Sequence, residues 1–259
     1  LIILTAVFAP LLAPYDPKAN DFEGSLAPSA QHLLGTTANG QDVFSQLMYG
    51  GRVSVFVALV GGMLATIVAV VVGLSWGYIK SFGGEFVGFI VNLFLVIPSL
   101  PLMIVVATYL QNGGMSVIIL VIVLTGWAWG SRVLRSQTQA LRSRDFVTAA
   151  TFSGDSSARV IFHEIFPNML SLIINNFFGA ATAAALAEAG LEFLGLGDST
   201  TVSWGTMIYW AQNNNVLLTG QWALLLAPGL MIALLAVSMT FINFGVDRLS
   251  NPRLREGSK

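Results

Sequence analysis

Thr151-Phe152-Ser153-Gly154 followed by His163 places a hydroxyl and an imidazole ten residues apart. Such a pair is the minimum for a nucleophile and its general base. The two histidines, His32 and His163, are also the side chains that could serve as metal ligands. Each lacks a partner histidine or cysteine, so a metal site has little to build on. The chain has no cysteine, which removes disulfides and thiol nucleophiles. The three lysines, Lys18, Lys80 and Lys259, lie outside any GxxxxGKS or GxxxxGKT context, so no phosphate-cradling loop is encoded. One acid, Glu188, stands near the end of an apolar run, where the cost of burying charge makes it a functional candidate by default.

The elements that must position these groups are membrane helices. The 259 residues are 55% hydrophobic and 10% charged, with mean hydropathy +0.75. Soluble domains carry about 25% charged residues. The opening run LIILTAVFAPLLAP has no basic residues before it and no small-residue cleavage site after Pro14. It therefore reads as the end of a spanning helix that starts upstream, not as a signal peptide. Apolar runs at 53–79, 86–110, 115–131, 165–187 and 222–246 follow. Each reaches the ~17–25 residues that a spanning helix needs. With the first run they predict an all-α integral membrane protein of six transmembrane helices. The runs are too long and too unalternating for barrel strands.

Polar connections are expected at 14–49, 132–164 and 191–221, with tight turns at 80–85 and 111–114. Ten of the twelve Lys and Arg residues collect on one side if 80–85, 132–164 and 247–259 share it, leaving Lys18 and Arg52 opposite. The positive-inside rule then puts that side, and both termini, in the cytoplasm. His32 and His163 fall on opposite faces and cannot share a metal. Ser153 falls in a basic cytoplasmic loop, not in a wet cavity at membrane depth, which denies an intramembrane hydrolase its setting.

The connection at 132–164 is far longer than a loop with no task, for which ~4–6 residues is usual. The residues before Ser153 suit a short helix, Gly154-Asp155 a turn, and 156–166 a second helix with Val160, Ile161, Ile165 and Phe166 on one face. Pro167 ends that element or opens the next span. A helix–turn–helix bracket with a basic rim is predicted.

Thr148-Ala149-Ala150, Gly154 and Pro167 carry a resemblance. Their spacing is similar to the EAA loop of ATP-binding-cassette importer permeases, with Thr148 in place of the usual Glu and Phe166 in place of the usual Leu. Further stretches resemble one branch, the C-type permeases of dipeptide, oligopeptide and nickel importers. They are His32-Leu33-Leu34-Gly35-Thr36 with Gly40-Gln41-Asp42-Val43-Phe44-Ser45 and Tyr49-Gly50, then Glu188 to Gly197 with Ser203-Trp204-Gly205, and finally Asp247-Arg248-Leu249 with Asn251 to Arg255. The resemblance spans about 30–255 in the family's order.

The resemblance implies a type I importer transmembrane domain in a prokaryotic cytoplasmic membrane. It implies a permease core at 51–246, preceded at 1–50 by the end of the first helix and an extracytoplasmic loop, and followed by a cytoplasmic tail at 247–259. Coupling to a separate ATPase falls on Thr148, Ala149, Ala150, Gly154, Asp155, Glu164 and Pro167. The implied partners are a sister permease forming a heterodimer, one or two ATP-binding-cassette subunits holding ATP and Mg, and an extracytoplasmic substrate-binding protein. No catalytic residue, metal, nucleic acid or bound cofactor is expected in this chain. The expected cargo is peptide, with oligosaccharides or nickel complexes as alternatives.

Glu188, Asn175, Asn176 and Trp204 are candidates for the translocation path or for helix packing, and both readings stand for Glu188. Pro98 and Pro101, and Gly61-Gly62, imply kinked or closely packed helices, or else hinges. The six tryptophans mostly flank the spans, as interfacial anchors do. A channel or secondary carrier is the remaining alternative, but spans without charge give ion coupling little to work with.

Overall fold

Long apolar stretches wind into long helices, because backbone groups in lipid must bond within their own segment, and that is how this chain is built. A computed structural model describes residues 2–79, 82–110 and 114–250, with side chains through 246. Lys80, residues 111–113 of the turn expected at 111–114, and the tail from Asn251, with its family-like residues, lie outside the described residues. Two short helices, α1 (Ile2–Val7) and α2 (Ala9–Leu12), come first. Then follow α3 (Val43–Tyr78), α4 (Phe82–Val96), α5 (Ser99–Tyr109) and α6 (Gly114–Arg142). A helical bracket contains α7 (Asp145–Phe152) and the short α8 (Ser157–Arg159). Then come α9 (Leu170–Phe193), α10 (Trp204–Asn213) and α11 (Ala223–Ser250).

Among the described residues, four helices are long and apolar enough to cross a membrane: Val43–Tyr78, Gly114–Arg142, Pro167–Phe193 and Ala223–Val246. The expected third span, 86–110, is not one straight helix: α4 and α5 meet at a 92° bend. Pro98 sits at the break in extended conformation, φ −58° and ψ 121°. It brings no N–H to the ladder and pushes Ile97 out of the helical region. Pro101 falls in the first turn of α5, where no donor is needed. The bent pair counts as a fifth crossing if it is one broken span.

Two boundaries move for a common reason. The polar connections expected at 14–49 and 132–164 are partly helix: α3 starts at Val43 and α6 runs on to Arg142. Hydropathy marks where lipid ends, but a helix can run on beyond it, and residues 132–142 contain neither Gly nor Pro to favour a stop. With 36 residues, α3 is about 54 Å long, well past the ~30 Å hydrocarbon core.

Packing centres on α3, whose glycines let neighbours close in. A Cβ on Gly62 would lie 2.6 Å from the Ala181 backbone of α9, and one on Gly73 would lie 2.7 Å from the Ser131 carbonyl of α6. The glycine pair Gly61-Gly62 is thus a site of close helix packing. Two tryptophans also depart from expectation: Trp76 and Trp204 are buried in the protein interior instead of anchoring in lipid headgroups.

The start of α3 explains the His32 to Ser45 motifs. Asp42 caps the helix, accepting from the Ser45 amide at 2.8 Å and hydroxyl at 2.7 Å, and its other oxygen meets His32 Nδ1 at 2.9 Å. His32 is buried beside Tyr15 and Phe22, with ring centroids 5.3 and 4.5 Å away. Gly40 has φ +77°, and a Cβ there would strike the Phe22 carbonyl. Asp42→Ala is expected to cost about 2–3 kcal/mol, from the lost cap and the stranded imidazole. Asp42→Asn, which still caps, is expected to cost less; thermal denaturation in detergent compares the two.

Candidate functional site

The bracket begins where α6 ends. Arg144 turns the chain, its amide donating to the Leu141 carbonyl at 2.9 Å, and α7 starts at Asp145. Helix α7 closes with two crossed bonds: the Gly154 amide donates to the Thr151 carbonyl at 3.1 Å, and the Asp155 amide to Ala150 at 3.2 Å. This is the Schellman arrangement, which needs a left-handed residue at Gly154, φ +86°. No heavy atom lies within 4 Å of a Cβ placed there, so conformation and not crowding selects glycine. Ser156 then caps the second arm, its Oγ accepting from the Arg159 amide at 3.4 Å. Residues Val160–Ile165 widen into a π-helical turn, with the Phe166 amide donating to the Ile161 carbonyl at 2.8 Å, just before Pro167.

The inner face of the bracket is apolar and locked down. Val147, Val160, Ile161, Ile165 and Met169 form one buried cluster with Ala69, Val70 and Leu74 of α3 and Leu134 of α6. Ala150 and Phe166 pack against it. Burial contributes about 1.5–3 kcal/mol for each large side chain. The exposed Arg159–Asp155 pair, at 3.3 Å, contributes no more than about 1 kcal/mol. Hydrophobic seating therefore fixes the bracket.

The outer face is a different surface. Phe152 is 87% exposed, Phe162 56% and Phe146 39%. Thr148 and Ala149, between Phe146 and Phe152 in sequence, are also exposed, with the Thr148 hydroxyl turned back to the Arg144 carbonyl at 3.2 Å. Asp155 sits at the turn, and the Glu164 carbonyl accepts from Asn168 Nδ2 at 2.7 Å. His163 is exposed, and Ser153 closes α7 as its C-cap. Sequence reasoning did not single out the three phenylalanines, although apolar rings in so polar a stretch were the available signal.

At the far end, Glu188 and Trp204 come together. Ser54 of α3 donates to Glu188 Oε1 at 3.1 Å and accepts from the Trp204 amide at 3.2 Å. Trp204 Nε1 donates to the Leu47 carbonyl at 2.9 Å. Its ring lies against Gly51, where a Cβ would approach to 2.8 Å. The Tyr49-Gly50 and Ser203-Trp204-Gly205 motifs are thus two halves of one contact. Glu192, part of the Glu188 to Gly197 stretch but not among the site candidates, accepts from the Ser203 hydroxyl. Ser203 and Thr206 form a reciprocal capping box at the start of α10. Glu188 and Glu192 are both buried. Asn176 is elsewhere, beside Gly130 of α6, and Asn175 precedes it on α9. Past the span, the Thr200 hydroxyl and amide, then the Thr201 hydroxyl, hold the Asp198 carboxyl below the usual carboxylate range.

Residues 69–256 match the family described as binding-protein-dependent transport system inner membrane component. The chain is 36% identical over 212 residues to an oligopeptide transport system permease protein of Mycobacterium bovis, covering 80% of this chain and 72% of that one. It is 30% identical over 261 residues to a dipeptide transport system permease protein of Bacillus subtilis, covering 98% and 79%. A di/tripeptide transport system permease protein of Pseudomonas aeruginosa is 29% identical, with 100% and 86% covered. The match takes in more than half of the chain, from the last third of α3 onward, and the apolar helices make the protein multi-pass: the chain belongs to the family of binding-protein-dependent transport system inner membrane components.

Proposed function

We propose that this chain is one permease subunit of an ATP-driven peptide importer, forming half of the translocation path through its 51–246 core. The loop before the core is extracytoplasmic, the tail after it cytoplasmic, and both termini lie in the cytoplasm. A sister permease completes the path as a heterodimer. One or two ATPase subunits carry the ATP and Mg, since this chain has no P-loop lysine, and an extracytoplasmic binding protein delivers cargo. The peptide reading rests on the names of the relatives; oligosaccharide or nickel-complex cargo would use the same architecture.

The observation that carries the coupling role is the two-faced bracket. Its inner face is buried against α3 and α6, while Phe146, Phe152 and Phe162, with Thr148 and Ala149, stay exposed away from that cluster. Gly154, Asp155, Glu164 and Pro167 shape the bracket, and Ala150 seats it. An ATPase groove gripping those rings would move the helices beneath them, because packed interfaces shift as units.

The double variant Phe152→Asp/Phe162→Asp tests this. Both rings are exposed, so fold stability should change by less than about 0.5 kcal/mol for each surface site. ATPase recovered with the permease should fall about tenfold or more, as for loss of an aromatic anchor, and ATP-dependent peptide uptake in proteoliposomes should fall with it. Wild-type ATPase recovery would overturn the docking assignment.

A further inference from the structure

Beside the bracket, between α3, α4 and α6, lies a recess of about 870 Å³. Trp76, Glu85, Phe89, Asn92, Arg135 and Arg142 line it. The Arg135 guanidinium lies 3.9 Å from the centre of the Trp76 ring, and Arg142 lies 5.5 Å from that of Tyr78. Gly88 backs the Trp76 ring so closely that a Cβ would approach to 2.7 Å. The Trp76–Arg135 stack is therefore held in place before any ligand arrives. Arg135 Nε is buried and finds no acceptor. Among the described residues the ion pairs are His32–Asp42 and Arg159–Asp155, so neither recess arginine has a carboxylate within 4.0 Å, Glu85 included. Cations at a membrane edge without anionic partners are costly, and basic recesses between helices on the cytoplasmic side suit phospholipid headgroups.

The surface leading from the recess decides between a lipid and a soluble anion. Phe82, Phe86, Phe89, Leu93 and Val96 recur at helical spacing along α4, all exposed. A water-filled path for a charged solute would show polar groups there, whereas acyl chains need such a stripe.

We propose that the recess binds the headgroup of an inner-leaflet anionic phospholipid. Arg135 and Arg142 hold the phosphate, Glu85 and Asn92 meet the headgroup hydroxyls, and the acyl chains lie along the α4 stripe. The inference rests on the bracket end facing the cytoplasm, as proposed above. Its failure and failure of the docking proposal are separable, because ATPase recovery reads only the second.

The test uses the whole importer, purified with its partners, stripped of lipid, and titrated with phosphatidylglycerol under native mass spectrometry. Wild type should retain phosphatidylglycerol in preference to phosphatidylcholine. Arg135→Gln should weaken retention about tenfold, the loss of one charge-assisted contact. Arg132→Gln, the same charge change on the same helix outside the recess, should leave it intact. Should Arg135→Gln not assemble, Arg142→Gln and Arg135→Lys carry the test, the latter keeping charge but losing the planar fork. Millimolar inorganic phosphate or glycerol phosphate should not displace the lipid. Displacement by either would make this a soluble-anion site and overturn the lipid assignment. Retention unchanged in Arg135→Gln and Arg142→Gln would overturn it, as would cross-linking that shows the sister permease filling the recess.

Discussion

Gly62→Leu is expected to leave almost no folded permease in the membrane. A Cβ at that position would lie 2.6 Å from both the Cα and the amide nitrogen of Ala181, so even the first carbon of the side chain meets backbone. Overpacking typically costs about 1–3 kcal/mol when side chains can yield. Here α3 and α9 would have to part, so the cost should exceed about 3 kcal/mol out of a usual total of about 5–15. The neighbouring Gly61→Ala tells crowding apart from any general demand for glycine. Its new methyl would meet Ile122 Cγ2 at 3.3 Å, a flexible side-chain end, so the change should stay within about 1 kcal/mol. Ala181→Gly should not rescue Gly62→Leu, since the opposing atoms are main chain. Size-exclusion chromatography of detergent extracts reads all three; wild-type yield for Gly62→Leu would contradict the helix spacing.

Trp204→Ala is expected to unseat the far end of the bundle. The indole is fully buried, fills the space left by Gly50 and Gly51, and donates to the Leu47 carbonyl at 2.9 Å. Truncating a large buried aromatic costs about 3–5 kcal/mol. At about 2–4 °C per kcal/mol, the melting midpoint should fall by roughly 10 °C. Trp204→Phe keeps most of the ring and loses the N–H bond, which should cost only about 1–2 kcal/mol. If the two variants melted together, the hydrogen bond and not the filled space would be the dominant contribution.

Much of the fold was legible in the sequence because lipid imposes a simple demand, a long uncharged helical run. Helices α3, α6, α9 and α11 follow from that alone. What hydropathy did not show were endpoints set by backbone chemistry. Helix α6 outruns its apolar stretch because nothing between Arg132 and Arg142 stops it. Pro98 flagged a disturbance in the third run, but the size of the bend depends on packing against α6. In the bracket, the turn was readable from Gly154, whose left-handed backbone is a local requirement. The outward phenylalanines were not, because the direction of a ring on a short helix depends on which face the core takes. Glu188 stood out by its apolar surroundings. Its partner Ser54 lies 134 residues away in sequence, and no local pattern announces that bond. Glu192 was missed because it sits close to the polar connection, where an acid attracts no notice.

The length of α3 has a mechanical corollary. One rod of 36 residues, about 54 Å, touches the bracket cluster near Leu74 and the tryptophan contact near Gly51. Tilting it by about ten degrees about one end swings the other by about 9 Å. Under the coupling role proposed for the bracket, a small push at that end of the rod would be magnified by leverage at the other.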